Sequence, residues 1–511
     1  MKVVAILLLM LGMIIISGQT AQAKSIKLDK KNFPCKDIRT YAKKHYDKNK
    51  DGKLSEKELK KATKFTDKIT FINSAKELKC LTKLKYLQEI DRLWLKNNKS
   101  IQELAKLKKL KRLAVIDISG GVKNGDYVGK KLTKVNLKAF KNLREVNLDA
   151  PIKKLDVSRN GKLTSIAIDG TKIKKISLKS MKNLKNLSVG KDNKEMESVD
   201  VEDCKKLEDI SVYTSIKKLK IEGCRNIKWF EIKNTQISKL KLISMQYLKW
   251  VRVWENNMEL ETILIENCPK LVDVGLSPIP NLKQLIIRKN NQLRILALKQ
   301  LSVKQVVQIR DIANVTNLSF RKCDESILDF SEIRGLKEFW FSGKHGQSIP
   351  KIVFSFPTVE RLTVLDEIIS KVINLNSMTN LKTLQWKNGV LENIILTDKS
   401  KMEHMDLSDN NLSGDWDLSE YINLHEFHCD NNHISTINAC NLEKLSFIHC
   451  EKNNLAKLDL YWVKGLHGVS ATGNPNAELF LPYTSYGDGY CEFDKSAKVH
   501  YNPRLNDPYW P

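Results

Sequence analysis

Residues 445–460 read LSFIHCEKNNLAKLDL. Leu445, Ile448 and Cys450 fall in the order L-x-x-L-x-L, Asn453 follows after two residues, and the pattern restarts at Leu455, Leu458 and Leu460. Ile448 and Cys450 alternate with polar residues, so they share one side of a short strand. The same unit appears upstream as Met196-x-x-Val199-x-Val201-x-x-Cys204, Ile216-x-x-Leu219-x-Ile221-x-x-Cys224 and Leu260-x-x-Ile263-x-Ile265-x-x-Cys268. Between these fall Leu207-x-x-Ile210-x-Val212, Ile227-x-x-Phe230-x-Ile232 and Leu248-x-x-Val251-x-Val253. Each Asn, Cys or Thr after a strand turns the chain and can bond neighbouring backbone. One such coil cannot bury its own apolar side, so the coils must stack as a solenoid from about Leu81 onward.

These residues resemble the leucine-rich repeat family, in particular its 21-residue bacterial type L-x-x-L-x-C-x-x-N-x-L-x-x-L-D-L, with Ile448 replacing the second Leu. The resemblance spans about four fifths of the chain and loosens between Leu301 and Ser400. It implies an α/β solenoid, a leucine-rich repeat array rich in short parallel strands. The front block NFPCKDIRTYAKKHYDKNKDGKLSEKELKKAT, residues 32–63, is similar to the lead-in of exported repeat proteins from anaerobic Gram-positive bacteria. Cys35 replaces the usual Asp there and Ile38 the usual Phe. The resemblance implies an internalin-like, secreted or cell-surface binding protein.

Within that block, Asp47 to Glu58 read DKNKDGKLSEKE. Asp47, Asn49 and Asp51 occupy positions 1, 3 and 5 of a twelve-residue EF-hand loop, and Gly52 sits where the chain turns sharply. Lys53 offers its carbonyl, Ser55 reaches through a water, and Glu58 closes the loop as a bidentate carboxylate. Helical spacing of Ile38, Tyr41 and Ala42 before it, and acids opening a second helix after it, complete a helix-loop-helix unit. The bland alternative is an acidic turn before a helix. Ca2+ is the expected cofactor. With a single loop, it serves as a structural clamp of about 10⁻⁴–10⁻³ M affinity.

The expected organisation is a signal peptide over 1–23, the EF-hand-like unit over 24–66, the repeat solenoid over 67–480 and a C-terminal cap over 481–511. Lys2, the apolar run Val3 to Ile16 and Ala21-Gln22-Ala23 have the layout of a secretory leader. No other run is long enough to span a membrane. Residues 400–511 carry 8 Lys+Arg against 16 Asp+Glu and the leader only Lys2, which leaves +35 of the net +28 on residues 24–399. Such a block attracts anionic polymers, unless it is merely a solvated surface. The ten cysteines are thinly spread. Cys204, Cys224 and Cys268 fall at turns and Cys429 and Cys450 at inward positions, so they read as buried thiols. Cys429–Cys450 and Cys35–Cys80 stay open as possible disulfides.

Three outward columns offer candidate sites. Lys134, Lys154, Lys175, Ser198, Lys218 and Lys239 form a lysine ladder, which the turn residues of the resembling family would place on the concave face. A second column brings Trp229 and Trp250 together, with Arg252 and Trp254 pointing the same way, as sugar rings or peptides require. A third, Asp406, His428, His449 and Ser470, has the residues for zinc or pH sensing. Surface histidines without a task are the simpler reading. No phosphate loop or H-E-x-x-H occurs, and an enzyme is not expected. The expected function is non-catalytic binding or adhesion to a protein, a glycan or an anionic cell-wall polymer. Retention in the producer's wall by charge alone is the alternative, and nucleic acid is not the expected partner.

Overall fold

The computed structural model describes residues 25–65, 70–72, 75–95, 114–119, 122–123, 126–127, 134–138, 140–301, 306–310, 312, 314–321, 335–342, 356–366, 371–484 and 489–505. The expected leader lies outside them, as do residues 485–488 and 506–511 of the expected cap. The chain divides into two units, Met1–Cys224 and Arg225–Pro511.

The first unit opens with two helices, α1 (Lys36–His45) and α2 (Glu56–Lys61). α1 buries Ile38, Tyr41 and Ala42 along one face. α2 starts at a capping box, in which the Ser55 side chain accepts from the Glu58 N–H and Glu58 accepts from the Ser55 N–H. Parallel strands follow: Glu89–Leu95, Val115–Ser119, Glu145–Asp149, Ser165–Asp169, Asn186–Val189 and Asp209–Val212 pair each with the next. A second set alternates with them along the chain. It is broken into Lys134–Asn136 with Lys154–Asp156, and Lys175–Lys179 with Ser198–Glu202 and Lys218–Glu222.

The second unit repeats this plan. One parallel sheet runs from Trp229–Lys233 through Trp250–Trp254, Asp273–Leu276, Ile295–Lys299, Asn317–Arg321, Glu338–Ser342 and Arg361–Leu365. It continues through Thr383–Lys387, His404–Asp406, Glu426–His428, Phe447–His449 and Gly468–Ser470 to Tyr490–Glu492. The second set is again in pieces, the last running from Ser413–Asp417 to Lys498–Tyr501. Residues 490–492 and 498–501, within the expected cap, therefore add one more coil to both sets.

The α/β expectation needs correction, because the solenoid is mostly β. From Glu145 onward its partner residues lie 20 to 23 positions apart, as in Glu145 opposite Ser165 and Asn186 opposite Asp209. Two strands and their turns consume that length, and a helix of average size would need about 11 residues more. The second strand of each coil also carries a two-residue alternation, as in KLKLI of Lys239–Ile243, which favours a strand.

Inward residues stack coil on coil, and Phe230, Val251, Val274 and Leu296 are fully buried in one such column. The corners need more than apolar contact. There a residue with positive φ, such as Asp203, Asn234 or Asn431, ends the strand. A buried polar side chain then satisfies backbone groups that the strands leave unpaired. The Asn453 amide donates to the carbonyls of Cys429 at 3.0 Å and Cys450 at 3.1 Å, and its oxygen accepts the Ile434 N–H at 3.0 Å. Asn410, Asn432 and Asn474 do the same on neighbouring coils. Where Cys stands instead, as at Cys268, the thiol donates to Leu242 and Glu266 carbonyls at 3.6 and 3.5 Å.

Replacing Asn453 by Ala strands these groups in the core. The expected cost is about 1–3 kcal/mol. It will be read as faster amide exchange around strands Glu426–His428 and Phe447–His449, with Asn453→Thr losing less. Unchanged exchange in Asn453→Ala would contradict this account of the corners.

Candidate functional site

The outward face of the second unit's uninterrupted sheet gathers the predicted aromatic residues. Trp229 and Trp250 are register partners on adjacent strands, with ring centroids 5.7 Å apart and planes tilted by 41°. The Trp229 indole N–H donates to Glu231 at 3.3 Å, and the Lys249 ammonium lies 5.4 Å over the Trp250 ring. Arg252 forks onto Asp273 of the next coil, one arm at 2.8 Å and the other also bonded. Its guanidinium also stands 5.9 Å from the Trp254 ring. Only 18% of the Arg252 side chain and 12% of Asp273 are exposed, so the charge is already matched inside the protein. Arg252, expected beside the tryptophans, is thus paired with Asp273 and stands against Trp254.

Beside Arg252 the same column continues through Gly275, Ala297 and Ser319 to Trp340. A Cβ on Gly275 would sit 3.2 Å from the Arg252 Cδ and 3.4 Å from the Trp254 ring, so glycine lets those side chains lie across the strand. Arg252 and Trp254 thus cover Gly275, and beyond them Ala297 and Ser319 floor a trough that runs to Trp340. Ile295, Asn317, Glu338 and Arg361 border a pocket at its Trp340 end, where Ile295 and Trp340 are exposed. Sequence reasoning missed this half because the repeat loosens after Leu301. Aligning Leu318 with Phe339, its register partner on the next strand, was the available signal.

The lysines lie on the interrupted strand set. In the first unit Lys154 faces Lys134, and Ser198 stands between Lys175 and Lys218. The side chain of Lys134 lies outside the described residues. Lys239 is in the second unit, opposite Thr262. Neighbouring columns carry their own counter-charge: Lys179 and Lys220 reach Glu202 at 2.7 and 3.8 Å. Lys154, Lys175 and Lys218 are exposed and form no ion pair among the described residues. Buried turn residues follow both strand sets, Asn160 and Cys204 after one, Thr171 and Asn193 after the other. The turn residue thus cannot assign the ladder to a face, and the uninterrupted sheet is the one bearing the tryptophans.

The loop after α1 is closed by its own backbone. Asp47 accepts from the Asp51 and Gly52 N–H groups at 3.1 and 3.0 Å, and Asn49 accepts from Asp51 at 3.2 Å. Asp51 accepts from Lys53 at 2.8 Å, and Glu58 from Lys48 and Ser55, each at 2.9 Å. Gly52 has φ +75, which a side chain would strain. Burial raises the Glu58 pKa, but hydrogen bonds from Ser55, Lys48 and Asn49 outweigh it and leave the carboxylate below its ordinary value. The loop strand Lys53–Leu54 pairs antiparallel with Ile26–Lys27. Asp47, Asn49, Asp51, Ser55 and Glu58 offer side-chain oxygens within one loop, with the Lys53 carbonyl beside them, and a hard divalent cation takes such a set.

The third column is less exposed than surface histidines would be. His428 and His449 stack face to face, and Asp430 joins them. Burial and the neighbouring His449 hold the His428 pKa below its usual value, and burial raises that of Asp430. Cys204, Cys224, Cys268, Cys429 and Cys450 are buried free thiols, so no Cys429–Cys450 bond forms.

No family model matches the sequence, and no curated protein matches it. Among solved structures the chain is similar to YopM from Yersinia enterocolitica, at 15% identity and a TM-score of 0.55 over 82% of this chain and 83% of that one. It is also similar to the functional domain of InlJ from Listeria monocytogenes, which includes a cysteine ladder. There the identity is 15% and the TM-score 0.38, over 91% of this chain and 79% of that one. The YopM likeness shows a shared fold, the leucine-rich repeat solenoid. Among the described residues no helix is long and apolar enough to cross a membrane.

The Arg252–Asp273 fork makes a prediction. Asp273→Asn leaves the guanidinium without its counter-charge in a largely covered position. We expect a loss of about 1–3 kcal/mol, discounted from a fully buried pair for residual solvent. A shift in intrinsic tryptophan emission should accompany it as Trp254 loses its support. An unshifted spectrum at unchanged stability would show the fork to be idle.

Proposed function

We propose that this chain is an exported, calcium-stabilised leucine-rich repeat protein of a Gram-positive bacterium that binds a protein or glycan ligand without catalysis. The observation that carries the reading is the trough from Ala297 to Trp340, preceded on the same unbroken sheet by Trp229, Trp250 and Trp254. Aromatic walls over a floor of small residues suit a sugar ring or an extended peptide, because they supply contact area at little conformational cost. Arg252 is pre-paired and stays in position rather than seeking an anion. Trp229→Ala/Trp250→Ala and Trp340→Ala variants, compared with wild type on arrays of glycans and extracellular proteins, test this. Ligands should be lost by at least about tenfold, the effect of one hot-spot residue. A ligand kept equally by all three proteins would move the site elsewhere.

The unpaired lysines support a second role, a tether to anionic wall polymer in the producer's envelope. Residues 24–511 should sediment with purified Gram-positive wall only when teichoic acid is present, and less as salt rises. Lys154→Glu/Lys175→Glu/Lys218→Glu should abolish this while the tryptophan variants keep it. Binding indifferent to salt and to these changes would remove the polyanion reading.

Calcium enters through the Asp47–Glu58 loop, whose all-oxygen donor set supports it. Bound there, the ion would supply the positive charge that Asp47, Asp51 and Glu58 share, and would brace α1 against α2. At about 10 mM calcium the wild type should gain about 1–3 kcal/mol, from RT ln(1 + [L]/Kd) at the affinity of extracellular EF-hand modules. Asp47→Ala/Glu58→Ala should melt at one temperature with or without calcium. A wild type that gains nothing would sink the site.

A further inference from the structure

The uninterrupted sheet of the second unit carries another cluster, far along the chain from the trough and independent of the function proposed for it. His428 and His449 end the adjacent strands Glu426–His428 and Phe447–His449 as direct register partners. Their rings stack with centroids 4.2 Å apart and planes within 8° of parallel. Asp430, two residues beyond His428, turns its carboxylate to the same place. One ligand atom from each of the three residues lies within 4.8 Å of the other two. We propose that His428, Asp430 and His449 form a binding site for a divalent transition-metal ion of the zinc class.

The donor types select the ion. Two imidazoles and one carboxylate suit zinc, cobalt or nickel, whereas calcium and magnesium take oxygen alone. Bonds of about 2.0–2.2 Å place tetrahedral donors on the order of 3.4 Å apart, so binding requires the stacked rings to open out of parallel until their planes meet at the ion, and the carboxylate to turn. The sheet makes this inexpensive. Neighbouring strands stand about 4.8 Å apart, and register fixes the two histidines side by side before any ion arrives. Both backbones belong to corners already fastened by Asn432 and Asn453.

The surroundings hold the donors in place. The Tyr490 hydroxyl, one coil beyond, lies 2.6 Å from Nε2 of His449, and its ring meets the imidazole edge-on. The Asp430 carboxylate accepts the Glu451 N–H at 2.7 Å. Glu451 in turn accepts from the Ser470 hydroxyl. Partners of this kind orient a ligand and fix its tautomer, and their loss costs metal affinity. Only 29% of the His428 side chain is exposed. A fourth ligand would come from water or from a donor of a bound partner.

The test is equilibrium dialysis of residues 24–511 against zinc chloride in saturating calcium, so that the Asp47–Glu58 loop is occupied. We expect one zinc per chain, and in a parallel sample cobalt with the visible absorption of a tetrahedral site. His428→Gln/His449→Gln should retain no zinc above background. Tyr490→Phe, with all three donors intact, should bind about tenfold or more weakly. Asp430→Asn keeps the size and the hydrogen bond from Glu451 and serves if the double variant does not fold. Zinc uptake that is equal in wild type and in either folded ligand variant, or absent from wild type, overturns the proposal.

Discussion

The structure depends on buried polar side chains at the corners of the coil, the asparagine amides above all. Apolar stacking alone is non-directional, and a column of Val, Ile and Leu would tolerate a slipped coil. An asparagine that donates to carbonyls of two coils and accepts an N–H from a third place does not. Asn432 reads Leu407 and Cys429 at 3.0 Å each and receives Leu412 at 2.9 Å, which fixes coil height and rotation together. The left-handed residues beside these corners, Asp409, Asn431 and Lys452, are the local strain that this geometry requires.

That device is why so much of the fold was legible. In LSFIHCEKNNLAKLDL the inward pair Ile448 and Cys450 and the corner Asn453 each have a job that few residue types can fill. The second strand of each coil was less legible, since leucines three and two apart suit either a helix or a strand; the coil length decides for the strand. The faces were not legible at all. Corner residues follow both strand sets, so nothing in the chain marks which sheet is unbroken. The trough was hidden for a related reason: Gly275, Ala297 and Ser319 mean little until register sets them in one line. His428 and His449 were visible as a column, but Asp430 was not, because it lies beyond the strand where alternation no longer says which way a side chain points.

Charge obeys the same geometry. Cross-coil partners sit about 20 to 23 residues apart, so a lysine meets its glutamate one coil on, as in Lys179 with Glu202 and Lys283 with Glu261. These exposed pairs add little stability individually. Lys154, Lys175 and Lys218 are exposed and stand outside the ion pairs of the described residues. The front unit solves another problem of the solenoid. The Asp47–Glu58 loop is tied down by its strand Lys53–Leu54, which pairs with Ile26–Lys27. Tyr86 and Lys85 of the first coil bind Glu56 of α2, so the loop and the start of the stack are one structure.

A solenoid therefore assembles chemistry differently from a globular pocket. It cannot converge groups from distant loops; it can only place residues side by side on successive coils, about 4.8 Å apart, in columns whose length the sheet decides. Three outcomes follow, and the second unit holds all of them: flat rings in contact at Trp229 and Trp250, a salt-bridged fork at Arg252 and Asp273, and paired imidazoles at His428 and His449. None creates an enclosed cavity of the kind that excludes water from a reacting bond. Each presents its groups on an open strand surface, where a partner would meet side chains from successive coils.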